Sequence, residues 1–222
     1  METSLHQQLK RCYAGTEANT EVTMGKYRID AVRDDELIEV QCASLSAIRD
    51  KSQKLLKRHK LRVVKPVISR TRIIKVNSKA GPVVSRRMSP KRGCVMELFE
   101  ELIYFTRVFP HPNLTLEVPM VCVEQTRMPR KGRRRRRQPN YKVVDTSLDS
   151  ISETFEFREP ADLLALIPWK RRPESFDTAD IARAIDRPRW VAQQIAYVLR
   201  HTGAINEVSR RRSGIVYEPI AA

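Results

Sequence analysis

Apolar side chains at Leu5, Leu9 and Tyr13 recur at helical spacing after Ser4, with Gly15 to stop them. The period then shortens to two. Residues 21–24, 27–32 and 36–41 are β-favouring runs separated by Gly25-Lys26 and Arg33-Asp34-Asp35, which predicts a three-stranded meander. Ser44 can cap a helix whose apolar face is Leu45, Ile48, Leu55 and Leu56 and whose remainder is basic, Lys51 and Lys54 included. Strands are expected at 61–67, 71–76 and 81–85, then a turn at 89–93. A second amphipathic helix runs through Met96, Leu98, Phe99, Leu102, Ile103 and Phe105 until Pro110. Residues 114–123 form a strand that Pro119 assigns to a sheet edge or a bulge, and 141–144 and 153–157 are further strands.

From Pro160 the pattern turns helical: 161–167, then 179–185 capped by Asp177 or Thr178, then a helix opened by Pro188 and ended at Thr202 before Gly203. Two strands, 204–208 and 215–218, follow around a basic turn.

Charge changes this picture from a fold to a partner. The 222 residues carry a formal +16, and residues 51–93 hold fifteen Lys/Arg and no acid while 127–142 hold nine and none. Positive charge this concentrated fits a phosphate backbone, although basic runs also serve as solvated faces. Arg133, Arg134, Arg135, Arg136 and Arg137, bracketed by prolines and Gly132, repel one another and read as a loop or linker, either a phosphate clamp or a basic spacer. No run of about 18 apolar residues is present, and the first thirteen residues are too polar for a signal peptide, so the expectation is a cytoplasmic protein with no membrane partner. Cys12, Cys42, Cys94 and Cys122 lack paired spacing and are expected as reduced core thiols.

The candidate chemistry is acidic. Leu37, Glu39 and Gln41 alternate onto one face of the third strand. If the second strand pairs with it through the Arg33–Asp35 turn, Asp30 stands beside Glu39 and two carboxylates offer hard oxygen ligands to Mg²⁺ or Mn²⁺. A helix, a three-stranded meander, a helix and a strand with Asp-x₈-Glu-x-Gln, over residues 4–67, resemble the core of the PD-(D/E)XK, or restriction-endonuclease-like, nuclease superfamily. The resemblance implies that Asp30 and Glu39 bind metal, with Glu17 or Glu21 as an extra acid. Gln41 stands where that family usually has a catalytic Lys, and Lys51 is the preferred substitute cation. The whole chain is similar to an uncharacterised bacterial family joining such a core to a carboxyl-terminal winged helix, through Tyr27-Arg-Ile-Asp, Leu37-Ile-Glu-Val-Gln, Ser85-Arg-Arg-Met-Ser-Pro-Lys-Arg-Gly and Leu114-Thr-Leu-Glu-Val.

Residues 160–220 themselves resemble a winged helix-turn-helix. That likeness implies that Arg187, Arg189, Gln193, Gln194 and Arg200 present a groove-reading face and that Arg210, Arg211 and Arg212 form the wing. Ile181, Ile185, Val191, Ile195, Val198 and Leu199 are its expected core. Docking to a protein is the competing use of such a module.

The sequence therefore predicts an α/β (α+β) protein: a nuclease-like domain over 1–126 with added strands and a helix, a basic linker at 127–142, connecting strands at 143–159 and a winged helix over 160–222. The expected function is metal-dependent hydrolysis of DNA phosphodiesters. Its competitor is a non-catalytic nucleic-acid-binding regulator. Lys54, Arg86, Arg87, Lys91 and Arg92 join the arginine run as backbone contacts. RNA is the second nucleic-acid candidate, and the oligomeric state is left open, a homodimer included.

Overall fold

The computed structural model describes residues 3–16, 19–79, 81–130, 139–212 and 214–220. Helix α1 (Ser4–Ala14) is capped by Thr3 and ends at Gly15 with φ +72°. The meander follows as β1 (Thr20–Met24), β2 (Tyr27–Arg33) and β3 (Glu36–Val40). Asp34 and Asp35 close the β2–β3 hairpin with φ values of 50° and 61°, the left-handed pair that a two-residue type I′ turn requires. A 3₁₀ turn (Leu45–Ile48) leads into α2 (Arg49–Leu55), then β4 (Lys60–Val64), β5 (Val67–Val76) and β6 (Val83–Met88).

Helix α3 (Leu98–Leu102) is shorter than its apolar pattern suggests, because a 3₁₀ turn at Val95–Glu97 takes up its start. Strand β7 (Leu114–Pro129) is longer than expected, and β8 (Tyr141–Phe157) is one continuous strand where two short ones were predicted. Then come α4 (Pro160–Ala165), α5 (Thr178–Ile185), α6 (Arg189–Thr202), β9 (Ile205–Arg211) and β10 (Gly214–Pro219).

Strands β1–β8 form a mixed sheet in the order β1-β2-β3-β4-β7-β5-β6, with β8 also paired to β7; β5 and β7 run parallel, whereas β1–β2, β2–β3 and β5–β6 are antiparallel. Pro119 is not at an edge: β7 lies between β4 and β5. The β5 ladder begins one residue later, at Met120, so the missing N–H costs it no bond.

The chain divides into two compact units made of interleaved segments. The first comprises Met1–Cys42, Val64–Cys94 and Val118–Phe155, and the second Ala43–Val63, Val95–Glu117 and Glu156–Ala222. In the first, α1 buries Leu5, Leu9 and Ala14 against Ala31, Ile38, Val40, Val64, Val121 and Val123. In the second, α6 packs against α3, α4, α5 and β9. Ile181, Ile195, Val198 and Leu199 are buried there as expected, whereas Ile185 and Val191 are half-buried. The four cysteines form no disulfide, but Cys12 and Cys42 are exposed and not core residues: Cys12 falls on the outer side of α1, and Cys42 follows the end of β3. Among the described residues no helix is long and apolar enough to cross a membrane.

Candidate functional site

Strands β2 and β3 pair through Arg33–Glu36, Val32–Leu37 and Ala31–Ile38, so Asp30 and Glu39 are the next residues along that ladder. There the Asp30 side chain takes over from the backbone. Its Oδ2 accepts the Val40 N–H at 2.9 Å and lies 3.4 Å from Nε2 of His6 on α1. Burial pushes the Asp30 carboxyl up, but the hydrogen bonds from His6 and the Val40 amide, with the charges of His6 and Lys10, outweigh it and hold the group below its ordinary range. Asp30 is thus kept ionised. Glu39 is 4% exposed, and the alternation on β3 is as read from sequence, with Ile38 and Val40 in the α1 core.

Glu21 is turned to other work. Its carboxylate is held by Lys10, with Nζ to Oε1 at 2.8 Å, and by Arg28. The Lys10 hydrogen bond, followed by that of Arg28, lowers its pKa. Its backbone sits at φ +56°, a conformation that L side chains rarely adopt. Among the described residues, no three His, Cys, Asp or Glu side chains form a cluster able to hold a metal. Asp30 and Glu39 are thus neighbours in register, Glu21 does not join them as a third acid, and Glu17 lies outside the described residues.

Lys10, only 5% exposed, is the residue that sequence reasoning missed, together with His6. Both project from α1, four residues apart on one face, and it is their charges that act on Asp30. A lysine directly after Leu9, at the margin of an apolar stripe, was the available signal. Lys51 and Lys54 belong to α2 in the second unit, Lys51 half-buried and Lys54 exposed. The Gln41 amide N–H donates to the Val64 carbonyl at 2.8 Å.

The expected backbone-contact residues Arg86, Arg87, Lys91 and Arg92 are all exposed, on β6 and the segment after it. The run from Arg133 to Arg137 lies outside the described residues. On α6, Arg189 and Gln193 line one cleft with Thr178, Gly214, Ile215 and Tyr217, and the Arg189 Nε–H donates to Thr178 Oγ1 at 3.0 Å. The Oε1 of Gln194 is buried with no hydrogen-bond partner among the described residues. Arg210 is held 3.1 Å from Glu207, which also meets Arg200 at 3.5 Å, while Arg211 and Arg212 are exposed at the hairpin end. Helix α6 also exposes Trp190 and a Tyr197–His201 stack with ring centroids 3.9 Å apart.

No solved structure matches the chain. A protein of Treponema pallidum (strain Nichols), described as an uncharacterized protein, is 30% identical over 184 residues, covering 82% of this chain and 72% of its own length. Residues 3–158, which include α1, the meander and the whole Asp30–Glu39 region, match the family model described as Domain of unknown function (DUF8091), and the chain belongs to that family.

Proposed function

We propose that this protein binds nucleic acid, DNA first, and hydrolyses its phosphodiester bonds at a centre built on Asp30 and Glu39. The observation that carries the reading is the Asp30 carboxylate, held ionised next along the ladder to Glu39 by the Val40 amide, His6 and Lys10. In support, α1, β1–β3, α2 and β4, with acids on the second and third strands, follow the element order that the PD-(D/E)XK resemblance implies, and α4–α6 with the β9–β10 hairpin follow the one that the winged-helix resemblance implies.

Two carboxylates suit Mg²⁺, which commonly takes one or two from a protein and fills its shell with water and substrate phosphate oxygens. Asp30 and Glu39 would hold that ion, or Mn²⁺, and bound there it would supply an activated water and charge neutralisation. Lys10, paired with Glu21, is a positioning residue: its charge adds to the His6 and Val40 hydrogen bonds that keep Asp30 ionised. The exposed cations of β6 and α6 contribute the salt-sensitive hold on the backbone.

A specific observation favours the competing reading, a binder without chemistry. Asp30 already has two hydrogen-bond partners, and Glu21 is neutralised by two cations. The deciding experiment titrates Mg²⁺ and Mn²⁺ into the protein with plasmid, linear duplex, branched DNA or RNA. Cleavage of any of them supports the enzyme. Salt-dependent binding with no cleavage at any metal concentration hands the case to the regulator.

A further inference from the structure

On β5, Ile73 and Lys75 lie two residues apart and share a face of the sheet. The antiparallel register sets Arg87 opposite Ile73 and Ser85 opposite Lys75, and the parallel register sets Arg127 beside Lys75. Three cations from three adjacent strands therefore stand on one side. They line a cleft of about 400 Å³ whose other walls include Ser85, Asn140 and Tyr141, and among the described residues no carboxylate lines it.

The opposite face shows what a neutralised arrangement looks like. There Arg72 meets Glu124 at 2.7 Å and Asp149 at 3.4 Å. In the cleft, no ion pair to Lys75, Arg87 or Arg127 is found among the described residues. Arg127 is nonetheless oriented. Its Nε–H donates to Gln125 Oε1 at 2.6 Å, and its guanidinium carbon sits 4.1 Å from the centroid of the Tyr141 ring. Like charges on neighbouring strands repel, and an anion between them turns that repulsion into attraction. A planar guanidinium held flat presents its N–H fork to phosphate oxygens, and two further cations complete a clamp.

We infer that this cleft is a phosphate site: Lys75, Arg87 and Arg127 hold the phosphate of an ester whose remaining part rests near Tyr141. Its volume falls within the range of about 300–1,000 Å³ typical of small-ligand pockets. The site does not depend on Asp30 or Glu39 and stands whether or not they catalyse. The same chemistry is offered by a phosphate of a nucleic-acid strand and by a free nucleotide, and the test separates them.

The full chain is titrated calorimetrically with adenosine monophosphate, with adenosine, and with a short single-stranded oligodeoxynucleotide. Binding of the monophosphate but not of adenosine identifies a free phosphate ester. Binding of the oligonucleotide alone identifies a backbone phosphate. In either case Arg87→Ala and Arg127→Ala should weaken the bound probe by roughly tenfold, about 1.4 kcal/mol, while Arg72→Ala, on the opposite face, changes it less than twofold. Lys75→Ala, at an exposed position, keeps the test valid if Arg127→Ala fails to fold, and Arg127→Lys should lose less than Arg127→Ala. Absence of binding to both phosphate probes overturns the inference. So does a loss in Arg72→Ala equal to that in Arg87→Ala.

Discussion

Replacing Arg62 by Met should destabilise the second unit by about 3–5 kcal/mol, the usual cost of stripping the partner from a buried charge. The magnitude follows from exposure. Arg62 Nη1 bonds to Glu117 on β7 and, at 2.7 Å, to Glu156 at the end of β8; the side chains of Arg62, Glu117 and Glu156 are 11%, 9% and 45% exposed. Glu156 is wet, keeps Arg158 at 3.3 Å, and adds no more than about 1 kcal/mol. Glu117 has no such solvent to fall back on, and Met retains most of the Arg62 stem, so the loss reports charge and not packing. Both tryptophans, Trp169 and Trp190, belong to this unit, and their fluorescence in a urea titration reads its midpoint. At slopes of about 1–3 kcal/mol per molar, the midpoint should fall by at least about 1 M. Arg62→Met with Glu117→Leu should recover most of the loss, because no buried charge remains. The Arg62 hydrogen bond, opposed by burial and aided by the charges of Arg62 and Arg158, lowers the Glu156 pKa. A lowered folded-state pKa adds stability above the unfolded value of about 4.3 and loses it as pH falls through the folded one. The gap between wild type and Arg62→Met should therefore narrow below about pH 4. A loss under about 1 kcal/mol, or a double variant no better than the single one, would refute the reasoning.

Lys10→Met should raise the Asp30 pKa and shift the acid limb of any cleavage rate to higher pH, while Lys51→Met leaves that limb in place; a pH profile of the metal-supplemented reaction checks it. Gly214 has φ +139°, and a Cβ there would stand 3.2 Å from Arg189 Nη2. Gly214→Ala should cost about 1–3 kcal/mol by thermal melting and weaken DNA binding through displacement of Arg189, whereas Gly203→Ala should cost stability without that binding loss.

The local elements were legible because local chemistry decides them. Asp177 caps α5, Pro188 opens α6 and the aspartate pair at 34–35 turns the hairpin, each from its own side chain. What was hidden was long-range. Residues 43–63 and 95–117 segregate with the carboxyl-terminal helices, and no periodicity encodes that interleaving. Pro119 suggested an edge because a proline reveals its missing donor but not where the neighbouring ladder begins. At the site, the sequence places Asp30 and Glu39 opposite one another through strand register, which counts in twos, and the β2–β3 pairing runs up to the residues before them. Lys10 was not, since a buried lysine becomes visible only once β1 brings Glu21 to it. Glu21 was taken for a ligand for the same reason: its two cations come from α1 and β2.

The measurement that bears most directly on the central claim is the rate of DNA cleavage in Mg²⁺ or Mn²⁺ by Asp30→Ala and Glu39→Ala, with DNA affinity measured on the same preparations. If the two carboxylates form the hydrolytic centre, both variants lose cleavage by at least about a hundredfold and bind DNA as the parent does. Cleavage that survives both substitutions would contradict the claim.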